Sequence, residues 1–248
     1  ANDKFRGEFI YQNLAISTNV IHAAYLSGVT QLINLGSSCI YPKYSEQPIK
    51  ESALLTGFLE PTNEPYAIAK IAALKLCENY NRQYGTDYRS VMPTNLYGPG
   101  DNYNIDTSHV AAALLRRFYN AMLNKEATVT VWGSGLPLRE FMYVGDLAHA
   151  IEFLIRMPKE NFVAKLSADT SHINVGSGFE VTIKRLAELV AEVVNFEGDI
   201  IFDKSKPDGT PRKLMDSNVM STLGWAATTS MTVGLSLALS DMKERFYE

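Results

Sequence analysis

Runs of strand character alternate with runs of helix character along almost the whole chain, and this alternation limits the possible fold more than any other feature. The spacing of Phe9, Leu14, Ile16, Val20, Ile21 and Ala24 predicts a helix over Arg6 to Ser27, with Gly28 placed to stop it. Thr30 to Leu35 reads as a short buried strand ending at Gly36. A loop-rich stretch follows. Pro65 to Tyr84 then reads as a helix, with proline in its first turn and Gly85 after its end. Further strands are expected at Tyr88 to Met92, Thr128 to Trp132, Leu138 to Val144, His172 to Val175 and Ile200 to Asp203. Further helices are expected at Ser108 to Asn124, Asp146 to Met157 and Thr182 to Val194, with Thr182 as cap, and a last helix closes the chain. Pro93 to Asn104 and Ser205 to Lys213 read as loops. This order of elements implies an α/β fold with a mainly parallel sheet, whose ligands sit where strands end in polar loops.

Composition removes several function classes. Of 248 residues, 46% are hydrophobic and 20% charged, which suits a packed core and argues against disorder. A net charge of −4 offers no basic footprint, so no nucleic-acid partner is expected. No apolar run approaches the roughly 18 residues needed to span a bilayer, so no membrane partner is expected either. The two cysteines, Cys39 and Cys77, form no CxxC pair and no zinc spacing. No metal is expected, and a reducing, cytoplasmic setting fits.

The sharpest constellation is Tyr66-Ala-Ile-Ala-Lys70. Four residues apart on a helix, the phenol and the amine share one face. A free tyrosine titrates near about 10, and a neighbouring ammonium favours the phenolate, which suits proton exchange with a carbonyl or alcohol oxygen. An ordinary helix surface pair has the same spacing. In Gly36-Ser-Ser-Cys-Ile-Tyr-Pro42, a serine at a strand end could bond the same carbonyl oxygen, or could be part of a serine-rich turn.

Taken together, SSCIYP, EPTNEPYAIAK, RSVMPTNLYGP and SKPDGTPRKL resemble the GDP-L-fucose synthase family, a branch of the extended short-chain dehydrogenases/reductases, from about Phe9 to the last helix. The resemblance implies a Rossmann-like sheet with a smaller C-terminal α/β substrate domain. Residues 1–105 would be the remainder of an NADP-binding domain carrying the catalytic Ser, Tyr and Lys. Residues 106–248 would be mainly the substrate domain, with some segments returning to the first. It implies NADPH-dependent epimerisation at carbons 3 and 5 and reduction of the 4-ketone of GDP-4-keto-6-deoxy-D-mannose, giving GDP-L-fucose, and a homodimer formed through the helices Arg6–Ser27 and Pro65–Tyr84.

Position by position, the resemblance assigns Ser37, Tyr66 and Lys70 to the reductive triad, and Cys39 and His109 to the acid–base pair of epimerisation. NADP(H) would meet Leu35, Gly36, Ser37, Lys70, Pro93, Thr94, Asn95, Leu96 and His109. A thiol near about 8.5 and an imidazole near about 6.5 bracket neutral pH, so each can give and take a proton. Read alone, Cys39 would be a small buried hydrophobe and His109 a helix N-terminal residue. Cys77, inside a helix, reads as packing. The GDP-sugar diphosphate needs cations, and Arg117, Arg139 and Lys213 are the candidates. Trp132 could pack on the nucleotide sugar, and Asp208 could accept from sugar hydroxyls. The plainer readings are a solvated Arg116–Arg117 face and a core tryptophan.

No GxGxxG or GxxGxxG fingerprint occurs, although a dinucleotide-binding fold normally opens with one. The expectation is therefore a fragment or truncation whose own NADPH binding is weak. Two alternatives stand beside the main reading. One is a related deoxysugar synthase such as a GDP-L-colitose synthase; the other is a non-catalytic nucleotide-sugar-binding fragment.

Overall fold

The computed structural model describes residues 4–104, 107–166, 170 and 172–247. Its elements run α1 (Arg6–Leu26), β1 (Gln31–Leu35), α2 (Glu64–Tyr84), β2 (Asp87–Pro93), β3 (Asn95–Tyr97), α3 (Val110–Leu123), β4 (Thr128–Trp132), β5 (Leu138–Tyr143), α4 (Val144–Arg156), α5 (Lys159–Val163), β6 (His172–Val175), β7 (Glu180–Thr182), α6 (Ile183–Val194), β8 (Asp199–Asp203), β9 (Arg212–Lys213), α7 (Asn218–Leu223) and α8 (Met231–Phe246). Short 3-10 turns cover Ser38–Ile40 and Glu51–Ala53.

The chain divides into two compact units. The first comprises Ala1–Thr94, Leu147–Gly176 and Met215–Ala226; the second comprises Asn95–Asp146, Ser177–Leu214 and Ala227–Glu248. In the first unit β1, β2 and β6 form a parallel sheet in that order. Central strand β2 is buried from Tyr88 to Pro93, as expected for a parallel strand covered on both faces. Helix α2 carries Pro65 in its first turn and ends on Gly85 at φ 73, a left-handed conformation that glycine adopts without steric cost. Its small and apolar residues Ala67, Ile71, Ala73, Leu74 and Cys77 are buried, so Cys77 is packing. Tyr66 and Lys70 lie on its partly open side. Helix α1 docks on α2 through His22 Nδ1, 2.7 Å from the Tyr80 hydroxyl, and through a Tyr25–Tyr84 stack at 4.2 Å.

In the second unit β4 and β8 pair in parallel, and β5 pairs with β3, β7 and β9. Leu114, Leu115, Phe118, Val129, Val131, Leu186, Val190 and Leu235 form its core. Thr182 caps α6, its hydroxyl accepting from the Arg185 amide at 3.0 Å.

Three of the strands, β3, β7 and β9, lie where the sequence suggests only loop or helix cap. Each has two or three residues, too few to carry a period, and each exists only because β5 offers an edge to pair with. The last helix is in fact two, α7 and α8, the first ended by Gly224 at φ 98.

Candidate active site

In the first unit the chemistry gathers at the carboxyl end of β1, where ligands sit in open α/β sheets. Gly36 continues the strand, donating its amide to Val91 O at 2.8 Å. Ser37 then caps the 3-10 turn, its hydroxyl accepting from the Cys39 amide at 3.3 Å. The same Oγ lies 2.7 Å from the Cys39 thiol. Lys70 Nζ donates to Leu35 O at 2.8 Å and stands 5.6 Å from the Tyr66 ring centre. Ser37, Cys39, Tyr66 and Lys70 thus share one cluster.

Electrostatics differ from the sequence expectation for Tyr66. A neighbouring ammonium alone would favour the phenolate, but the phenol is pushed up to about 12, first by burial and then by negative charge on Cys39. Burial also holds Lys70 below the usual lysine range, against the pull of Cys39. At neutral pH Tyr66 is therefore a protonated phenol, a proton donor.

An ammonium has three donors, and Lys70 spends one on Leu35 O, so its others can serve ribose hydroxyls. With the Ser37 and Tyr66 hydroxyls beside it, this donor set fits the nicotinamide end of NADP(H). Pro93 ends β2 and Thr94 donates its amide to Val175 O at 3.1 Å, both buried at the carboxyl end of the sheet. Asn95 and Leu96 belong to the second unit, on β3, where Asn95 Nδ2 donates to Glu140 O at 2.7 Å.

The second unit carries the remaining residues singled out by sequence. His109 is the exposed N-terminal cap residue of α3. Trp132, at the end of β4, is 65% exposed, so it is not a core residue. Arg117 lies 6.0 Å and Lys206 5.6 Å from its ring centre, and Arg117 Nη1 donates to Thr130 O at 2.7 Å. Arg117 is therefore more than half of a solvated pair. Arg139 and Lys213 are register partners on β5 and β9. Arg139 is partly buried, which lowers its affinity for a proton, and Asp208 offsets that effect.

Asp208 is held within its own unit by Ser134. Its two oxygens take the Ser134 amide at 2.8 Å and the Ser134 hydroxyl at 2.6 Å, which holds the carboxyl below its ordinary range. Gly133 makes this latch possible: its φ is 86, and a Cβ there would meet Asp208 Oδ1 at 2.5 Å. Lys206 was missed by sequence reasoning. Its signal was its place two residues before Asp208 in the SKPDG loop.

Comparison with known proteins gives the family. Residues 1–176 match the model of the NAD dependent epimerase/dehydratase family. A GDP-L-fucose synthase from Escherichia coli (strain K12) is 55% identical over 236 residues, covering 95% of this chain and 74% of that protein. A GDP-L-colitose synthase from Yersinia pseudotuberculosis is 37% identical, covering 92% of this chain and 72% of that protein. Among solved structures, a GDP-mannoheptose C4 reductase from Campylobacter jejuni with NADP bound matches with a TM-score of 0.87 at 34% identity, covering 98% of this chain and 77% of that one. The chain belongs to the NAD dependent epimerase/dehydratase family, on its GDP-L-fucose synthase branch.

Proposed function

We propose that the protein is an NADP-dependent epimerase/reductase that converts GDP-4-keto-6-deoxy-D-mannose to GDP-L-fucose. The observation that carries this reading is the convergence of Ser37, Cys39, Tyr66 and Lys70 at the end of β1. The higher identity to a fucose synthase, 55% against 37% for the colitose synthase, favours the fucose product.

The ketone at carbon 4 acidifies the hydrogens on carbons 3 and 5. Cys39 and His109 are assigned the removal and return of these protons. Tyr66 gives its proton to the carbon 4 oxygen, and Ser37 bonds that oxygen. Lys70 orients the nicotinamide ribose, and Leu35, Gly36, Pro93, Thr94, Asn95 and Leu96 are assigned to the cofactor. NADPH, when bound, supplies the hydride. In the second unit Arg117, Arg139, Lys206 and Lys213 present the cations a diphosphate needs, and Trp132 presents an aromatic face.

A homodimer is part of this reading. Helix α1 exposes Tyr11, Ile16 and Val20, and α2 exposes Ile68 and Tyr84, apolar surface of the kind a partner covers. Light scattering at a mass of one chain would remove the dimer. A cytoplasmic setting fits two free cysteines, one of them assigned a proton-transfer role.

The test is incubation of the protein with NADPH and GDP-4-keto-6-deoxy-D-mannose. Loss of absorbance at 340 nm is expected, with GDP-L-fucose identified by NMR. A colitose-type product would reassign the substrate. No oxidation of NADPH, with GDP still bound in calorimetry, would leave a nucleotide-sugar-binding module instead.

A further inference from the structure

The Ser37–Cys39 turn is clamped at both ends, and only its first clamp belongs to the sheet ladder. At its start, Gly36 N bonds Val91 O at 2.8 Å. At its far end, the Tyr41 hydroxyl donates to Asn174 Oδ1 at 2.6 Å, across 133 residues of chain. Tyr41 is 3% and Asn174 0% exposed. Asn174 sits on β6 and is itself fully engaged. Its Nδ2 donates to Ile49 O at 2.9 Å and to Asp216 O at 3.2 Å, and its backbone amide donates to Glu51 Oε1 at 3.0 Å. Three other segments, at Tyr41, Ile49–Glu51 and Asp216, therefore meet on Asn174.

We infer that Asn174 and Tyr41 are positioning residues for the acid–base turn: their hydrogen bond holds the Ser37 hydroxyl and Cys39 thiol in register at 2.7 Å. Tyr41 follows Cys39 by two residues, so any drift of its ring is passed directly to the thiol. A buried amide with every group satisfied has one favoured orientation, which makes it a rigid anchor. Small misplacements of reacting groups are costly, with about 1 Å worth up to about 100-fold in rate.

This inference rests on the proposed roles of Ser37 and Cys39, and the test separates the two. Tyr41→Phe keeps the ring and removes only the hydroxyl. On folded protein, kcat for solvent-deuterium incorporation and kcat for reduction are each expected to fall about tenfold or more, with KM within about twofold. The rate of Cys39 alkylation by iodoacetamide, read by peptide mapping with buried Cys77 as reference, is expected to change several-fold. A lower melting temperature with kcat and alkylation rate both within about twofold of the parent would overturn the inference, since a purely structural bond gives that result. Asn174→Leu removes the acceptor for Tyr41 at similar volume and is the second arm. On its folded fraction kcat and the alkylation rate should change as in Tyr41→Phe, and parental values of both would overturn the inference. If the parent protein shows neither exchange nor reduction, the proposed function fails, while the alkylation comparison still decides the clamp.

Discussion

The Ser37 hydroxyl lies 2.7 Å from the Cys39 thiol, so the group assigned to the 4-ketone and the group assigned to the neighbouring carbons touch each other. Ser37 also caps the turn that carries Cys39. Ser37→Ala should therefore slow both reactions, not reduction alone, by about tenfold or more. It should also cost about 1 kcal/mol of stability from the lost cap. Deuterium incorporation followed by NMR, with thermal melting alongside, checks both; an unchanged exchange rate would dissociate Ser37 from the thiol.

Tyr66→Phe should lower the reduction rate by about 100-fold or more while leaving proton exchange at carbons 3 and 5 largely intact. Absorbance at 340 nm and deuterium incorporation, measured on one preparation, separate the two steps.

The buried phenol of Tyr66 also has a pH signature. Its affinity for the proton is higher folded than unfolded, with the folded value about 12 against an ordinary 10.0. The stability it contributes is fully present below pH 10 and is lost as the pH rises toward 12. Chemical unfolding between pH 9 and 11.5 should show a steeper loss for the parent than for Tyr66→Phe. Equal slopes would mean that the phenol is not buried as described.

His172 titrates in the opposite sense. It is buried on β6 with its ring centre 6.3 Å from that of Tyr41, and burial pulls it down from 6.5 to about 4. The Lys75 ammonium reinforces this shift, and the Glu51 backbone opposes it. Its stability contribution is complete above pH 6.5 and is lost as the pH falls toward 4. His172→Phe should flatten the melting temperature across that window. A parental acid slope in the variant would place the titrating group elsewhere.

Trp132→Ala should raise KM for the GDP-sugar about tenfold with kcat within about twofold, because the exposed ring lies beside two cations outside the core. Its stability should change by about 0.5 kcal/mol or less. Steady-state kinetics and a melt decide it; a large drop in melting temperature with KM unchanged would make the ring structural.

The fold class and the Tyr66–Lys70 pair were legible in the sequence because both depend on local spacing. A proline and a glycine bound α2, and four residues make one turn of its face. The resemblance supplied the roles, and no spacing rule would have found them. The tertiary structure decided what local pattern cannot carry. Burial, which depends on everything packed around α2, left Tyr66 a protonated phenol despite the lysine beside it. Pairing with β5 made strands of segments too short to declare themselves. Folding also brought Asn174 to Tyr41 and Asp208 to Ser134, contacts between residues 133 and 74 positions apart. Local spacing reaches only one or two helical turns, and contacts of that range are set by the packing of the whole unit.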